Sequence, residues 1–308
     1  MNHLEVSILD RIGNTPSLKC NDLGEFIKLR NLYVKLEKQN PTGTHKDRMA
    51  LKVLRYAIEN GFNGISVGTC GSYGLAIAWL SNIYKIECKI FIPESYRNSA
   101  IKKIWNYTSN INFIKGTYED AVKESIRYCN TFNYFDANPS GANSELCFES
   151  YYQMADEIIN EFPDVNLTIW LPIGNATTFT GLYRRLSNLN FNPKYYLMAS
   201  LNNSSIISSL QKGQIIGLDY GELKENQFNE PLVSWIPPIN ISELLEISSS
   251  SILNLVEISD NELIEASKLL AEYESIESPS YSCAGLAGLI RNQYSLSNDD
   301  THLVIVTS

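Results

Sequence analysis

The sequence predicts an α/β protein of two lobes, each a largely parallel twisted sheet flanked by helices. Two observations carry that expectation. Short β-branched or aromatic runs alternate with helical patterns along most of the chain, and such alternation favours parallel sheets covered by helices. The 308 residues, 44% of them hydrophobic, are also enough to bury one large core or two modest ones.

Taken in order, residues 64–68 (GISVG) read as a strand, followed by a glycine-bearing loop and an apolar helix over 75–84. Residues 88–93 form the next strand, with a helix around 99–107 after it. Strand 111–116 leads into helix 118–129, and strand 132–136 into one helix around 145–161. Strand 167–174 and the helix after Thr177 repeat the plan, and 195–200 is a further strand. From about Gln211 to Ser250, glycines, prolines and a serine run predict irregular surface structure. Regularity returns with strand 254–259, helix 260–274, a helix after Ser282 and a last strand over 302–306.

Composition narrows the function classes. A net charge of −9 counts against a nucleic-acid binder, whose footprint is basic. No apolar run approaches the ~18 residues of a membrane span. The amino terminus has no cationic stretch followed by an apolar one, so no signal peptide is expected. The six cysteines are scattered without a CxxC pair and read as reduced thiols, which suits a cytoplasmic protein.

Three segments carry chemistry. In the first, Asn40-Pro41-Thr42-Gly43 is turn chemistry, and Thr44 with Asp47 has the spacing of a capping box. The helix that follows has Gly61 as its natural stop. Lys46 thus falls in the first helical turn, where the helix dipole disfavours a cation and lowers its pKa, as a Schiff-base lysine requires. The alternative is a solvated lysine paired with Asp47 or Glu37. In the second segment, from Val67, a strand ends in Thr69-Cys70-Gly71-Ser72-Tyr73-Gly74 and a helix begins; its amides and hydroxyls suit a carboxylate. In the third, an apolar strand feeds Gly174-Asn175-Ala176-Thr177-Thr178 and a helix, an arrangement that suits a phosphate, although a polar turn has the same pattern.

In order and spacing, these segments resemble one family. Ile12-Gly13-Asn14-Thr15-Pro16, NPTGTHKDR at 40–48, TCGSYG at 69–74, GNATTFTG at 174–181 and the late ESPSYSCAGLAGL look like the pyridoxal-phosphate enzymes of the tryptophan-synthase-β fold. The resemblance runs from about residue 9 to the end. NPTGTHKDR is closest to threonine synthase, while IGNTP is similar to the cysteine synthase opening. The resemblance implies pyridoxal 5'-phosphate as cofactor, with Lys46 as the catalytic lysine that bonds it and moves the α-proton. It further implies that Thr69, Cys70, Gly71, Ser72 and Tyr73 hold the substrate carboxylate, with Ser72 beside the cofactor's phenolic oxygen. The same resemblance implies that Gly174, Asn175, Ala176, Thr177 and Thr178 cradle the cofactor phosphate and that the Thr307 hydroxyl faces the pyridine nitrogen. A hydroxyl there favours elimination and replacement at the β or γ carbon.

The implied lobes are 1–42 plus 146–308 for the cofactor and 43–145 for the substrate loop. The implied activity is threonine-synthase-like. Cysteine-synthase-like β-replacement, a serine/threonine dehydratase and a catalytically impaired cofactor-binding partner protein are the alternatives. The expected partners are a small amino-acid substrate and a second copy in a homodimer, with no metal, nucleic acid or membrane. Ser72 stands where most of the family carries Asn, and Tyr73 where many carry Thr. Ala176 and Thr177 replace glycines; Ala is tolerable there at negative φ, whereas Thr at positive φ is strained. His3, His302 and Glu149 are read as structural. His45 is read either as packing or as a phosphate contact, and the Arg184-Arg185 pair as a solvated helix face.

Overall fold

The computed structural model of the chain describes residues 10–69, 71–96 and 99–308. In chain order its elements are β1 (Ser17–Lys19), α1 (Asn21–Ile27), β2 (Leu32–Leu36), α2 (Lys46–Glu59), β3 (Gly64–Gly68), α3 (Ser72–Tyr84) and β4 (Glu87–Pro93). Then come α4 (Ser99–Ile104), β5 (Ile111–Ile114), α5 (Tyr118–Phe132), β6 (Tyr134–Asp136), α6 (Ser144–Glu149), α7 (Tyr152–Glu161) and β7 (Leu167–Pro172). The last are α8 (Thr177–Asn188), β8 (Lys194–Ser200), α9 (Ser205–Lys212), α10 (Ile241–Ser248), β9 (Leu253–Ile258), α11 (Asp260–Glu274), α12 (Ala284–Asn292) and β10 (Thr301–Val306).

The chain divides into two compact units. One comprises Asn40–Tyr151 with the described residues up to Gly13, and the other Asn14–Gln39 with Tyr152–Ser308. The first holds a four-stranded sheet in the order β5-β4-β3-β6, every pairing parallel. The second holds six strands in the order β1-β2-β10-β7-β8-β9, all parallel except β1 against β2. Parallel strands are covered on both faces, so they read as unbroken apolar runs. Strands β3 and β10 are buried along their whole length, and β7 as far as Leu171. In the second unit Trp170, Met198 and Val304 meet Leu263 and Leu286 from α11 and α12 in one apolar cluster.

Helix ends follow local chemistry. Gly61 (φ +71°) stops α2, with its N–H on the Ile58 carbonyl and the Phe62 N–H on the Ala57 carbonyl, the paired bonds of a Schellman motif. Thr117 and Asp120 close a reciprocal capping box on α5, and Ser259 and Glu262 do so on α11.

Three expectations are corrected. The helix expected over 145–161 is two helices, α6 and α7. The Ser150 hydroxyl donates to the Cys147 carbonyl (2.6 Å) and the Tyr151 N–H to Phe148, a tightening that ends α6. The stretch 211–250 is irregular only in part, because Ile241, Leu244 and Ile247 bury one stripe of α10. The serine run then ends that helix, with the hydroxyls of Ser248, Ser249 and Ser250 each donating to the carbonyl three residues back. Finally, residues 17–36, given no element by the sequence, form β1, α1 and β2.

Candidate functional site

In the first unit, Lys46 is the first residue of α2 and is half-buried. The capping box expected between Thr44 and Asp47 does not form. The Asp47 carboxylate instead turns back to accept the Thr42 N–H (2.7 Å) and the Thr42 hydroxyl, and the Thr44 hydroxyl accepts the Lys46 N–H at 3.3 Å. Buried Asp47 therefore ties the turn at 42–44 to the helix that starts with Lys46. The lysine's charge is felt by Cys147. Burial pushes that thiol up to about 12, the Lys46 ammonium acts in the opposite sense, and Asp136 adds to the rise.

The loop that begins at Thr69 follows β3 at the carboxyl edge of the same sheet. Thr69 is buried, and its N–H completes the edge on the Phe91 carbonyl (2.9 Å). Its Oγ1 accepts two backbone amides, those of Gly71 (3.3 Å) and Gly74 (3.2 Å). A hydroxyl has two lone pairs and one proton. With both lone pairs engaged inside the loop, Thr69 has only its O–H to offer, so it is a donor to whatever binds there. Ser72 opens α3, is half-exposed, and its hydroxyl has no hydrogen-bond partner among the described residues. The Tyr73 ring turns into the core, where its hydroxyl donates to the Ala137 carbonyl (2.8 Å). Burial pushes its pKa well above the ordinary phenol value. Cys70 lies outside the described residues.

In the second unit, β7 and β10 are neighbouring parallel strands, with Trp170 opposite Val304. Their carboxyl ends place the loop 174–178 and Thr307 at the same edge of the sheet, where α/β proteins bind ligands. Gly174 has no room for a side chain, since a Cβ there would stand 2.2 Å from the Pro231 carbonyl oxygen. Ala176 adopts φ +62°, outside the negative φ at which alanine is tolerable, while Thr177 is helical and unstrained. The Asn175 Oδ1 accepts the Thr177 hydroxyl (2.9 Å) and N–H (3.3 Å). The amides of Asn175, Ala176 and Thr178 have no acceptor among the described residues. Unsatisfied N–H groups at a helix N-terminus, with the Thr178 hydroxyl beside them, form a donor set that fits a phosphate. Thr307 is buried and its hydroxyl donates to that of Ser282 (3.2 Å), a residue the sequence reading passed over.

Other polar candidates are engaged in structure. Arg184 forks onto Glu243 (2.7 and 2.8 Å) and Arg185 onto Asp156 (2.7 and 3.2 Å), so this pair is neutralised on its helix. Glu149 pairs with Lys52 at 3.0 Å. The His45 ring packs 5.8 Å from that of Tyr151. His302 is buried in β10, where Nδ1 accepts the Trp170 indole N–H (3.4 Å) and Nε2 faces the Ser297 carbonyl. His3 lies outside the described residues. Among those described, no group of three or more His, Cys, Asp or Glu could hold a metal.

Known proteins are similar to this chain. The family described as "Pyridoxal-phosphate dependent enzyme" matches residues 8–308. Threonine synthase of Methanocaldococcus jannaschii is 26% identical over 305 residues, covering 90% of this chain and 69% of that protein. Cysteine synthase of a Flavobacterium species is 30% identical over 190 residues, covering 58% and 59% respectively. Among solved structures, maize serine racemase superposes with a TM-score of 0.83 at 16% identity, covering 99% of this chain and 92% of that one, a likeness of fold.

Proposed function

Because the chain belongs to the family of pyridoxal-phosphate-dependent enzymes, whose cofactor is pyridoxal 5'-phosphate, we propose that it is a threonine-synthase-like lyase or transferase. Its substrate is a small amino acid with a leaving group on the β or γ carbon, removed by elimination or replacement. Bound pyridoxal phosphate supplies an electron sink for the carbanion left when the α-proton departs. In this reading Lys46 Nζ holds the cofactor covalently and moves the α-proton. The segment Thr69-Cys70-Gly71-Ser72-Tyr73 binds the substrate carboxylate, and Ser72 also borders the cofactor's phenolic oxygen. Gly174, Asn175, Ala176, Thr177 and Thr178 hold the phosphate, and Thr307 faces the ring nitrogen.

The observation that carries the substrate class is Thr69, a buried hydroxyl whose lone pairs are both taken by its own loop. Its proton is matched by a carboxylate oxygen, and such charge-assisted bonds are about twice as strong as neutral ones. A hydroxyl at Thr307 in place of a carboxylate supports elimination and replacement chemistry, since a hydroxyl leaves the ring nitrogen largely unprotonated. NPTGTHKDR and the threonine synthase relative support that branch of the family.

The test is spectroscopic. Protein loaded with pyridoxal phosphate is expected to show a visible absorbance band that Lys46→Ala abolishes. O-phosphohomoserine is then expected to release phosphate. Turnover of O-acetylserine with sulfide alone replaces the reading by cysteine-synthase-like chemistry, and ammonia release from serine or threonine by a dehydratase. A band without turnover of any of these leaves a cofactor-binding partner protein. We also infer a cytoplasmic homodimer. The five described cysteines, all free and buried, support a reducing compartment, and light scattering at twice the chain mass is the expected result for assembly.

A further inference from the structure

Asn138 is fully buried, lies just beyond β6, and is seventy positions from its most consequential partner. Its Oδ1 accepts the Gly68 N–H (2.9 Å), the last amide before Thr69. Its Nδ2 donates to the Ser125 hydroxyl on α5 (2.9 Å) and to the Asp136 carboxylate (2.6 Å), which also accepts the Asn138 N–H (3.0 Å). Both amide protons are therefore used, and the side chain has one orientation only, because a flip would set NH2 against N–H at Gly68. The preceding residue acts on the other end of the same loop. The Ala137 carbonyl accepts the Tyr73 hydroxyl (2.8 Å), while the Ala137 N–H continues the ladder on the Ser66 carbonyl (2.9 Å).

The short segment Asp136-Ala137-Asn138 thus grips the loop where it leaves β3 and again in the first turn of α3. Everything between these grips is the loop that, in the reading above, binds the substrate carboxylate. We propose that Asn138, oriented by Asp136 and Ser125, is a positioning residue that holds this loop in its carboxylate-binding conformation and so sets the affinity for amino acids over the corresponding amines. The proposal rests on the functional reading only for the identity of what the loop binds; the anchoring is independent of it. The contacts of Asn138 that carry this role are those to Gly68, Ser125 and Asp136. It acts through the Gly68 N–H, which loses its acceptor if the amide is removed, and a buried donor left unmade is costly.

The experiment compares cofactor-loaded wild type with Asn138→Ala and with Ser125→Ala, the milder variant that removes one support of the amide and serves if the first does not fold. Hydrogen exchange of peptides covering residues 66–76 is expected to quicken about tenfold in Asn138→Ala and less in Ser125→Ala, with the peptide over β7 unchanged. Titration of the cofactor's absorbance with L-serine and with ethanolamine, the same skeleton without the carboxylate, is expected to show serine binding about tenfold weaker in the variant and ethanolamine binding unaltered. Unchanged exchange in both variants overturns the proposal. Equal weakening for serine and ethanolamine also overturns it, because a general structural loss does not distinguish a carboxylate. If wild type shows no cofactor band, the functional reading fails, and quickened exchange confined to the loop still supports the anchor.

Discussion

Ala176 holds a backbone conformation that side chains avoid, with φ +62° at the N-cap of α8. A left-handed alanine costs about 1–2 kcal/mol, and glycine there gives back roughly 0.5–1 kcal/mol of that in chain entropy. Ala176→Gly is therefore expected to raise stability by about 0.5–1 kcal/mol, read from a urea midpoint, whereas Ala176→Val lowers it. Two positions earlier, the Pro231 carbonyl leaves no space for a methyl group, and Gly174→Ala is expected to cost about 1–3 kcal/mol and weaken cofactor loading. Both glycine-site effects arise from the backbone near residue 231 and from the local turn. The string Gly174-Asn175-Ala176-Thr177-Thr178 shows where a loop opens a helix, and its pattern does not say which residue takes the positive φ. Asn138 is the clearest case of a residue invisible to sequence reading, since nothing near it announces a partner at Gly68.

At the scale of elements, helix starts were the most legible feature and their chemistry the least. Helix α2 begins at Lys46 as its pattern predicts, yet the carboxylate of Asp47 reaches back to Thr42 rather than closing a box with Thr44. Hydrogen bonds to a charged group are worth about 1.5–3 kcal/mol, so Asp47→Ala is expected to destabilise by about that amount. Thr42→Val, which keeps the backbone N–H, is expected to cost less; thermal denaturation of both variants checks the order. Helix α5 has the ordinary box, and Thr117→Ala there is expected to cost about 1 kcal/mol. The division of 145–161 into α6 and α7 escaped the sequence because both halves keep helical periodicity, and only the hydroxyl of Ser150 competes for the Cys147 carbonyl. Residues 17–36 escaped it because β1 is three residues long and mostly exposed, too short to show a period.

For the whole molecule, acid sensitivity follows from two sites in the second unit. Burial lowers the pKa of His302 from 6.5, so the unfolded chain takes up its proton first as pH falls. Stability is then unaffected by this group above pH 6.5 and declines below it, toward the native pKa. At Glu262, burial raises the carboxyl pKa but hydrogen bonds from Arg291 and Ser259 outweigh it, leaving the value below 4.5. Its contribution is present above pH 4.5 and is lost as pH falls through the native value. Urea midpoints are therefore expected to drop between pH 7.5 and 5.5 in wild type, with a shallower fall in His302→Gln. By itself the sequence determined the α/β class, from the alternation of β-branched or aromatic runs with helical patterns, and the helix openings that carry Lys46 and Thr177, because each is written in consecutive residues. Tertiary structure alone decided that the Thr69 hydroxyl accepts two amides of its own loop, that Ala176 is left-handed, that Thr307 pairs with Ser282 and that Asn138 accepts the Gly68 N–H. Three of these four depend on a hydrogen bond or a packing contact between residues distant in the chain or folded back within a loop, and the fourth on a backbone angle. Residue type and spacing do not specify such choices until the sheet has brought the partners together.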